Sequence, residues 1–211
     1  MNYSPLSLIS LVVAFVPVFA GFSRIKFIRR EYLIFFFFII VGAITEIVSF
    51  ILSIQRINNH WVAQIYDLLE YILVMLVLST WQKDSKTRYY FRLTIPVYVL
   101  FWVISKFTFE QLNGIGNYTH TFSVVAFIIA SVSSLIYFVT EEQGHLIREA
   151  RFWIACGLLL FFCGNFMFYL LIKDFISLNP QDAMNIMYFR WSFSIAINII
   201  FTMSLLLIKR C

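Results

Sequence analysis

The chain has 211 residues, of which 61% are hydrophobic and 13% are charged. A water-soluble domain of this composition would expose large apolar patches, so the balance excludes an ordinary soluble protein and indicates that lipid is the solvent. The formal net charge of +5 could indicate nucleic-acid binding. Because the basic residues lie between apolar runs and do not cluster on a soluble surface, we expect no nucleic-acid partner.

Seven apolar runs follow one another along the chain, each close to the roughly 20 residues that a transmembrane helix needs. In chain order they cover residues 6–22, 32–54, 61–81, 91–107, 119–139, 152–172 and 189–208. A set of helices satisfies its own backbone polar groups within the bilayer. The sequence therefore predicts an all-α protein, a seven-transmembrane helix bundle that forms a single domain over residues 1–211.

The distribution of lysine and arginine predicts how the bundle is oriented. Twelve of these residues fall on one side of the predicted spans: Arg24, Lys26, Arg29, Arg30, Lys83, Lys86, Arg88, Arg92, Arg148, Arg151, Lys209 and Arg210. Only four fall on the other side: Arg56, Lys106, Lys173 and Arg190. Since cytoplasmic loops carry the excess of positive charge, we expect the N-terminus outside and the C-terminus in the cytoplasm.

Three carboxylates inside predicted spans are the most informative polar residues. Glu46 lies about 12 Å below the outer end of the second helix, and Asp67 and Glu70 lie about 9 and 14 Å below the outer end of the third. A carboxylate in hydrocarbon is costly and usually faces the bundle interior with a partner. These depths predict one acidic layer in the outer half of the bundle, with the second and third helices facing each other.

Polar residues of other helices reach the same predicted layer, namely Asn165 on the sixth helix and Arg190 and Asn198 on the seventh. Together with Glu46, Asp67 and Glu70 they form our predicted set of ligand-binding or ion-binding residues around an outer-half cavity. Two histidines border it, His60 at the start of the third helix and His120 at the start of the fifth. If exposed, they would titrate near neutral pH and could sense it.

Structural interpretations of the same residues stand beside the functional ones. Asparagine side chains commonly hold transmembrane helices together through hydrogen bonds, which would account for Asn165 and Asn198. Arg190 is either a residue that extends its charge toward the interface or the counter-ion of the acids. His60 and His120 can equally be ordinary interfacial residues.

Enzymatic motifs are absent from the sequence. The lysines lie outside the middle of the spans, which disfavours a retinal-binding pump, and the histidines do not converge at one depth as intramembrane zinc ligands would. Neither a phosphate-binding loop nor a serine-nucleophile elbow is present, and Cys156, Cys163 and Cys211 follow no metal or disulfide spacing. We therefore expect a protein that is not an enzyme and needs neither cofactor nor metal.

Three stretches carry a resemblance to a known family. They are Asn58-Asn59-His60-Trp61 leading to Ile65-Tyr66-Asp67-Leu68-Leu69-Glu70-Tyr71, Phe152-Trp153-Ile154 leading to Gly164-Asn165, and Trp191 leading to Asn198. With these the chain resembles an uncharacterised family of small seven-helix inner-membrane proteins of Bacteroidota. The resemblance implies a bacterial, multi-pass protein of the cell inner (plasma) membrane, with Glu70, Asn165 and Asn198 as family positions. Gln64 and Ser194 stand where the family pattern has histidines, so no histidine-dependent chemistry is carried over.

Three functions are compatible with these features. The favoured one is a receptor-like or sensor-like signalling protein, in which a small ligand or proton enters the outer acidic pocket and changes helix packing. The second is a proton or cation translocator or an oligomeric pore, in which the same acids carry out ion transport. The third is an accessory subunit of a larger system, for example a bacterial immune system. Besides the lipid bilayer, each implies a protein partner or a homo-oligomer.

Overall fold

A computed structural model describes residues 4–112, 118–141, 146–175 and 180–208. Within these ranges the chain is helical and contains no strand. The helices are α1 (Pro5–Val13), α2 (Val16–Arg24), α3 (Arg30–Ile54), α4 (His60–Trp81), α5 (Ser85–Thr108), α6 (Tyr118–Glu141), α7 (Ala150–Phe175) and α8 (Pro180–Leu206), with short 3-10 turns at Ile25–Phe27 and Leu146–Arg148. Lys209, Arg210 and Cys211 lie outside the described residues.

Seven segments are long and apolar enough to cross a membrane, with α1 and α2 counted together as the first, Pro5–Phe27. The prediction of an all-α protein with seven candidate spans is thereby confirmed. We call the end of the bundle at which α1 begins the N-terminal face, and the end at which α2, α4, α6 and α8 finish the C-terminal face. That the N-terminal face lies outside the cell stays a prediction.

Three helix boundaries differ from the predicted ones. The fourth span begins at Ser85, not at residue 91, because the Asp84 carboxylate caps the helix by accepting the N–H groups of Lys86 (3.4 Å) and Thr87 (2.9 Å). The seventh begins at residue 180, not at 189, since proline needs no hydrogen-bond acceptor in a first turn. The first is broken between α1 and α2, where Pro17 cannot donate to the preceding turn.

Contacts between neighbouring helices run in a closed circuit. The first span packs on α8, α8 on α7, α7 on α6, α6 on α4, α4 on α3, and α3 on α2. Helix α5 lies outside this circuit against α4 and, more weakly, α6. Accordingly 11% of the apolar part of α5 is buried, compared with 50% of that of α4. Helix α4 is therefore central in the bundle, and polar groups on it are shielded from lipid.

Aromatic rings fill the C-terminal half of the core. Phe35 of α3 meets Phe201 of α8 edge to face, with ring centroids 5.2 Å apart, and Phe38 lies 6.4 Å from the same ring. Gly157 of α7 gives Phe201 room, because a Cβ on this glycine would lie 2.6 Å from the ring. Such pairs add about 0.5–1.5 kcal/mol each beyond area burial. They also set the relative level of α3 and α8 in the bundle.

Candidate functional site

A buried carboxylate–imidazole pair joins α4 to α6. The Asp67 Oδ2 atom lies 3.2 Å from His120 Nδ1, and the two side chains are 13% and 6% exposed. The structure thus places His120 in the interior, where it pairs with Asp67, a contact that the sequence interpretation did not include. His120 lies in the first turn of α6, which packs on α4 and is joined to the end of α5 by the hydrogen bonds of Glu110.

Glu70 lies one helical turn beyond Asp67 toward the C-terminal face. Its side chain is only 3% exposed, and among the described residues its Oε1 atom has no hydrogen-bond partner. The Tyr66 hydroxyl is the hydrogen-bond partner of the Glu70 carboxyl group. An ionised carboxylate in such a position would need further donors or a counter-charge, since burial without them is costly. The Glu70 carboxyl group therefore retains an oxygen atom that could take up a proton or a cation.

Stacked aromatic rings close the site on its C-terminal side. Tyr71 and Tyr98 stack with centroids 3.9 Å apart, and Phe127 stacks on Phe162 at 4.0 Å. All four side chains are fully buried. The Tyr98 hydroxyl donates to the Thr119 carbonyl oxygen at 3.4 Å. An apolar layer of stacked rings therefore borders the polar groups around Asp67 on their C-terminal side.

A second buried ion pair lies beside the site toward the N-terminal face. The Glu110 carboxylate accepts hydrogen bonds from Lys106 Nζ and the Thr119 hydroxyl, each at 2.7 Å, and from the N–H groups of Tyr118 (2.6 Å) and Thr119 (3.3 Å). Burial raises the pKa of Glu110, but the hydrogen bonds of Lys106, Thr119 and Tyr118 outweigh it, so the pKa lies below its ordinary value. Glu110 therefore stays ionised and ties the end of α5 to the start of α6.

Another polar cluster lies near the C-terminal face, where the sequence predicts mostly packing. Gln82 Nε2 donates to Ser134 Oγ at 2.9 Å, and Arg92 Nε donates to Ser79 Oγ at 3.4 Å. Tyr71 and Ser79 are eight residues apart, so an apolar layer about 12 Å thick separates the two polar regions along α4. Its members Val74, Met75, Leu78 and Leu158 are at most 2% exposed.

The backbones of the three predicted acids lie at different levels along the bundle. Asn59, just before α4, donates through Nδ2 to the Ser49 carbonyl oxygen of α3 at 3.3 Å, which puts these two residues at about the same level. Toward the C-terminal face, Glu46 is three residues from Ser49 and Glu70 eleven residues from Asn59, so the backbones of the two acids are about 12 Å apart along the bundle. Depth counted from helix ends was misleading because α3 extends further toward the N-terminal face than α4 does.

The remaining predicted site residues are dispersed. Arg190 is exposed, and its guanidinium lies over the Phe168 ring at 4.9 Å, whereas the basic partner of Asp67 is His120. The interpretation of Arg190 as the counter-ion of the three acids stays a prediction. Asn198 Nδ2 donates to the Ser194 carbonyl oxygen of its own helix at 2.9 Å, so this hydrogen bond does not join two helices. Asn165 is half-buried, and His60 and Glu46 are exposed.

Only one of the two buried pairs at this site has a signal in the sequence. Lys106 and Glu110 are four residues apart, the spacing at which opposite charges meet on a helix, although Glu110 lies just beyond the end of α5. Asp67 and His120 have no local signal, because their contact depends on how α4 and α6 align. In the part of the chain that the structure describes, no group of three or more His, Cys, Asp or Glu residues could hold a metal ion.

Comparison of the chain with protein-family models, with curated proteins and with solved structures gives no match. The resemblance to the Bacteroidota family stays a prediction from the motifs.

Proposed function

We propose that this chain is a sensor-like, multi-pass protein of the cell inner membrane, and that its stimulus is a proton that reaches the Asp67–His120 pair from the outside. The observation that supports this proposal is the 3.2 Å contact between these two side chains across α4 and α6. Histidine is the side chain whose charge ordinarily changes between about pH 5 and 8. Placed against a carboxylate inside the bundle, it makes the contact between two helices dependent on the external pH.

The physical consequence of protonation is a change in the force between α4 and α6. A neutral imidazole and the Asp67 carboxylate make an ordinary polar contact, whereas an imidazolium makes an ion pair that is strong where water is scarce. The titratable and charged groups near the pair are Tyr66, Glu70 and Tyr71 on α4, Tyr98 and Lys106 on α5, and Glu110 beyond α5. A protein partner bound at the C-terminal face would then detect the change in α4–α6 packing.

Transport is the second candidate, and the cluster of Ser79, Gln82 and Ser134 is the observation that favours it. These side chains could continue a path that starts at Glu70. The fully buried Tyr71, Leu78 and Phe127 interrupt that path, so we rank transport below sensing. Proton flux in proteoliposomes that disappears in Glu70→Gln would reverse this order.

The test is a pH titration of the intrinsic fluorescence of the purified full-length protein in lipid nanodiscs. We expect a sigmoidal change between about pH 5 and 8. His120→Gln and Asp67→Asn should each abolish it. His60→Gln is the matched control, since His60 is exposed, and should leave the change intact, as should His145→Gln. An unaltered titration in His120→Gln would show that the proton acts elsewhere and would refute the proposal.

A further inference from the structure

Two arginines near the start of α5 are hydrogen-bonded to the end of α4. Arg88 donates to the Gln82 carbonyl oxygen from Nε at 3.0 Å and from Nη2 at 2.6 Å. Arg92 donates from Nε to Ser79 Oγ at 3.4 Å, and its side chain is exposed. Because the two arginines are four residues apart, they are neighbours on one side of α5. The hydrogen bonds therefore hold both guanidinium groups beside the end of α4.

The same contacts place the two guanidinium groups at the level where the candidate spans end. Helix α4 finishes at Trp81, which lies between their two acceptor residues in the sequence. The Trp81 ring lies 6.3 Å from the ring of Tyr32 in the first turn of α3, so α3 begins at this level. Tryptophan and tyrosine are enriched where spans meet the lipid headgroups. Both arginines thus lie at the level expected for headgroup phosphates, although they belong to the apolar segment Ser85–Thr108.

The two positive charges have no acidic partner within 4.0 Å among the described side chains. Residues 82–92 contain four basic residues and a single acid, Asp84. The Asp84 carboxylate accepts hydrogen bonds from the first turn of α5, namely from the N–H groups of Lys86 and Thr87 and from the Thr87 hydroxyl. Like charges one helical turn apart repel each other, and an anion bound to both guanidinium groups would remove this repulsion.

An exposed apolar row continues from the arginines along α5. Residues spaced by four are neighbours in one inclined row of a helix surface, and this row consists of Arg88, Arg92, Pro96, Leu100 and Ile104. Arg88 is half-buried and the other four are exposed, whereas Tyr98 and Ser105 on the opposite side of α5 are fully buried. Leu100 lies about 12 Å from Arg92 along the helix axis, within the roughly 15 Å of hydrocarbon in one leaflet. One acyl chain can therefore follow the row from the arginines.

We propose that this row of α5 binds one anionic phospholipid, with its phosphate at Arg88 and Arg92 and an acyl chain along Pro96, Leu100 and Ile104. Guanidinium groups match phosphate oxygens in geometry and charge, and a basic segment at the end of a span attracts anionic lipids. A zwitterionic phospholipid would bring its own cation to a segment that is already basic. A second copy packed side by side in the same orientation would bring the same arginines together. The site is twelve residues, about 18 Å, from Asp67 along α4 and does not depend on the proton response.

The experiment is native mass spectrometry of the full-length protein released from nanodiscs that contain phosphatidylglycerol and phosphatidylcholine in equal amounts. The quantity measured is the ratio of the two lipids in the species that retains one lipid. We expect phosphatidylglycerol to dominate, and each arginine to contribute about fivefold to the ratio. Arg92→Gln should therefore lower the ratio about fivefold, and Arg88→Gln combined with Arg92→Gln should bring it close to equality.

Two controls separate this site from general basicity and from misfolding. Arg30→Gln removes an exposed arginine at the same end of the bundle, at the start of α3, and should leave the ratio unchanged. Since Arg92 is exposed, Arg92→Gln should fold, which thermal unfolding in phosphatidylcholine nanodiscs checks. Equal retention of both lipids by the unaltered protein, or the same decrease in Arg30→Gln as in Arg92→Gln, would overturn the proposal. A dimer that retains no lipid would also overturn it, because a second copy would then be the occupant of this face.

Discussion

The two halves of this bundle are built from the same helices but differ in how those helices meet. In the C-terminal half, the core-facing residues Phe35, Ile197 and Phe201 are closely packed. In the N-terminal half, the same faces of α3 and α8 carry exposed charges, while α4 and α6 meet through Asp67 and His120. The difference separates a closely packed half, which we expect to supply stability, from a half whose polar contacts are the ones that the proposal makes responsive to protons.

The largest effect is expected from the C-terminal half. Phe35→Ala should lower the free energy of unfolding by about 3–5 kcal/mol, because a fully buried aromatic ring is removed from its contact with Phe201. Thermal unfolding in nanodiscs measures this. Phe37→Ala is the matched control on the same helix, since Phe37 is 54% exposed, and should change stability by less than about 0.5 kcal/mol. Similar losses in both variants would contradict the proposed core.

An intermediate effect is expected where α5 and α6 are tied together. Glu110→Gln removes a charged acceptor of four hydrogen bonds and should cost about 2 kcal/mol. Because the pKa of Glu110 lies below its ordinary value, this stabilisation is present at neutral pH and is lost only as the pH falls through that lowered pKa. The cost of Glu110→Gln should therefore be equal at pH 6 and pH 8. If the cost differs between these two pH values, Glu110 itself titrates in this range, and the pH response would be assigned to Glu110 and not to the Asp67–His120 pair.

The smallest effect is expected near the C-terminal face. Gln82→Leu removes one hydrogen bond to Ser134, whose hydroxyl also donates to the Ala130 carbonyl oxygen, so stability should fall by about 1 kcal/mol. The pH-dependent fluorescence change should be unaltered. Gln55→Leu, at an exposed position, serves as control for the loss of an amide. Loss of the pH response in Gln82→Leu would mean that the two polar regions are coupled and would favour transport.

The fold followed from the sequence to a greater extent than the site did. Apolar runs determine spans because a helix in lipid must satisfy its own backbone, so seven candidate spans could be identified without knowledge of their packing. Asp67 and Glu70 could be recognised as interior residues for a related reason, namely the cost of a carboxylate in lipid. The Asp67–His120 contact could not be predicted, since it depends on the axial offset between α4 and α6.

The level of Glu46 along the bundle axis could not be predicted from the sequence either. Its distance from the end of α3 was counted correctly, but the ends of α3 and α4 lie at different levels. Asn59 Nδ2 donates to the Ser49 carbonyl oxygen at 3.3 Å, which shows that α4 begins beside the last turns of α3 and not beyond them. Helix lengths are readable from composition, whereas helix offsets depend on side-chain packing between helices.

Hydrogen–deuterium exchange at pH 5.5 and pH 8, corrected for the intrinsic pH dependence of amide exchange, tests the central claim most directly. We predict that protection changes between the two pH values in residues 62–70 of α4 and 119–124 of α6, and stays constant in residues 35–39 of α3 and 201–205 of α8. In His120→Gln the change in α4 and α6 should vanish. Equal changes in both halves, or a change that persists in His120→Gln, would contradict the proposal that the Asp67–His120 pair makes the N-terminal half responsive.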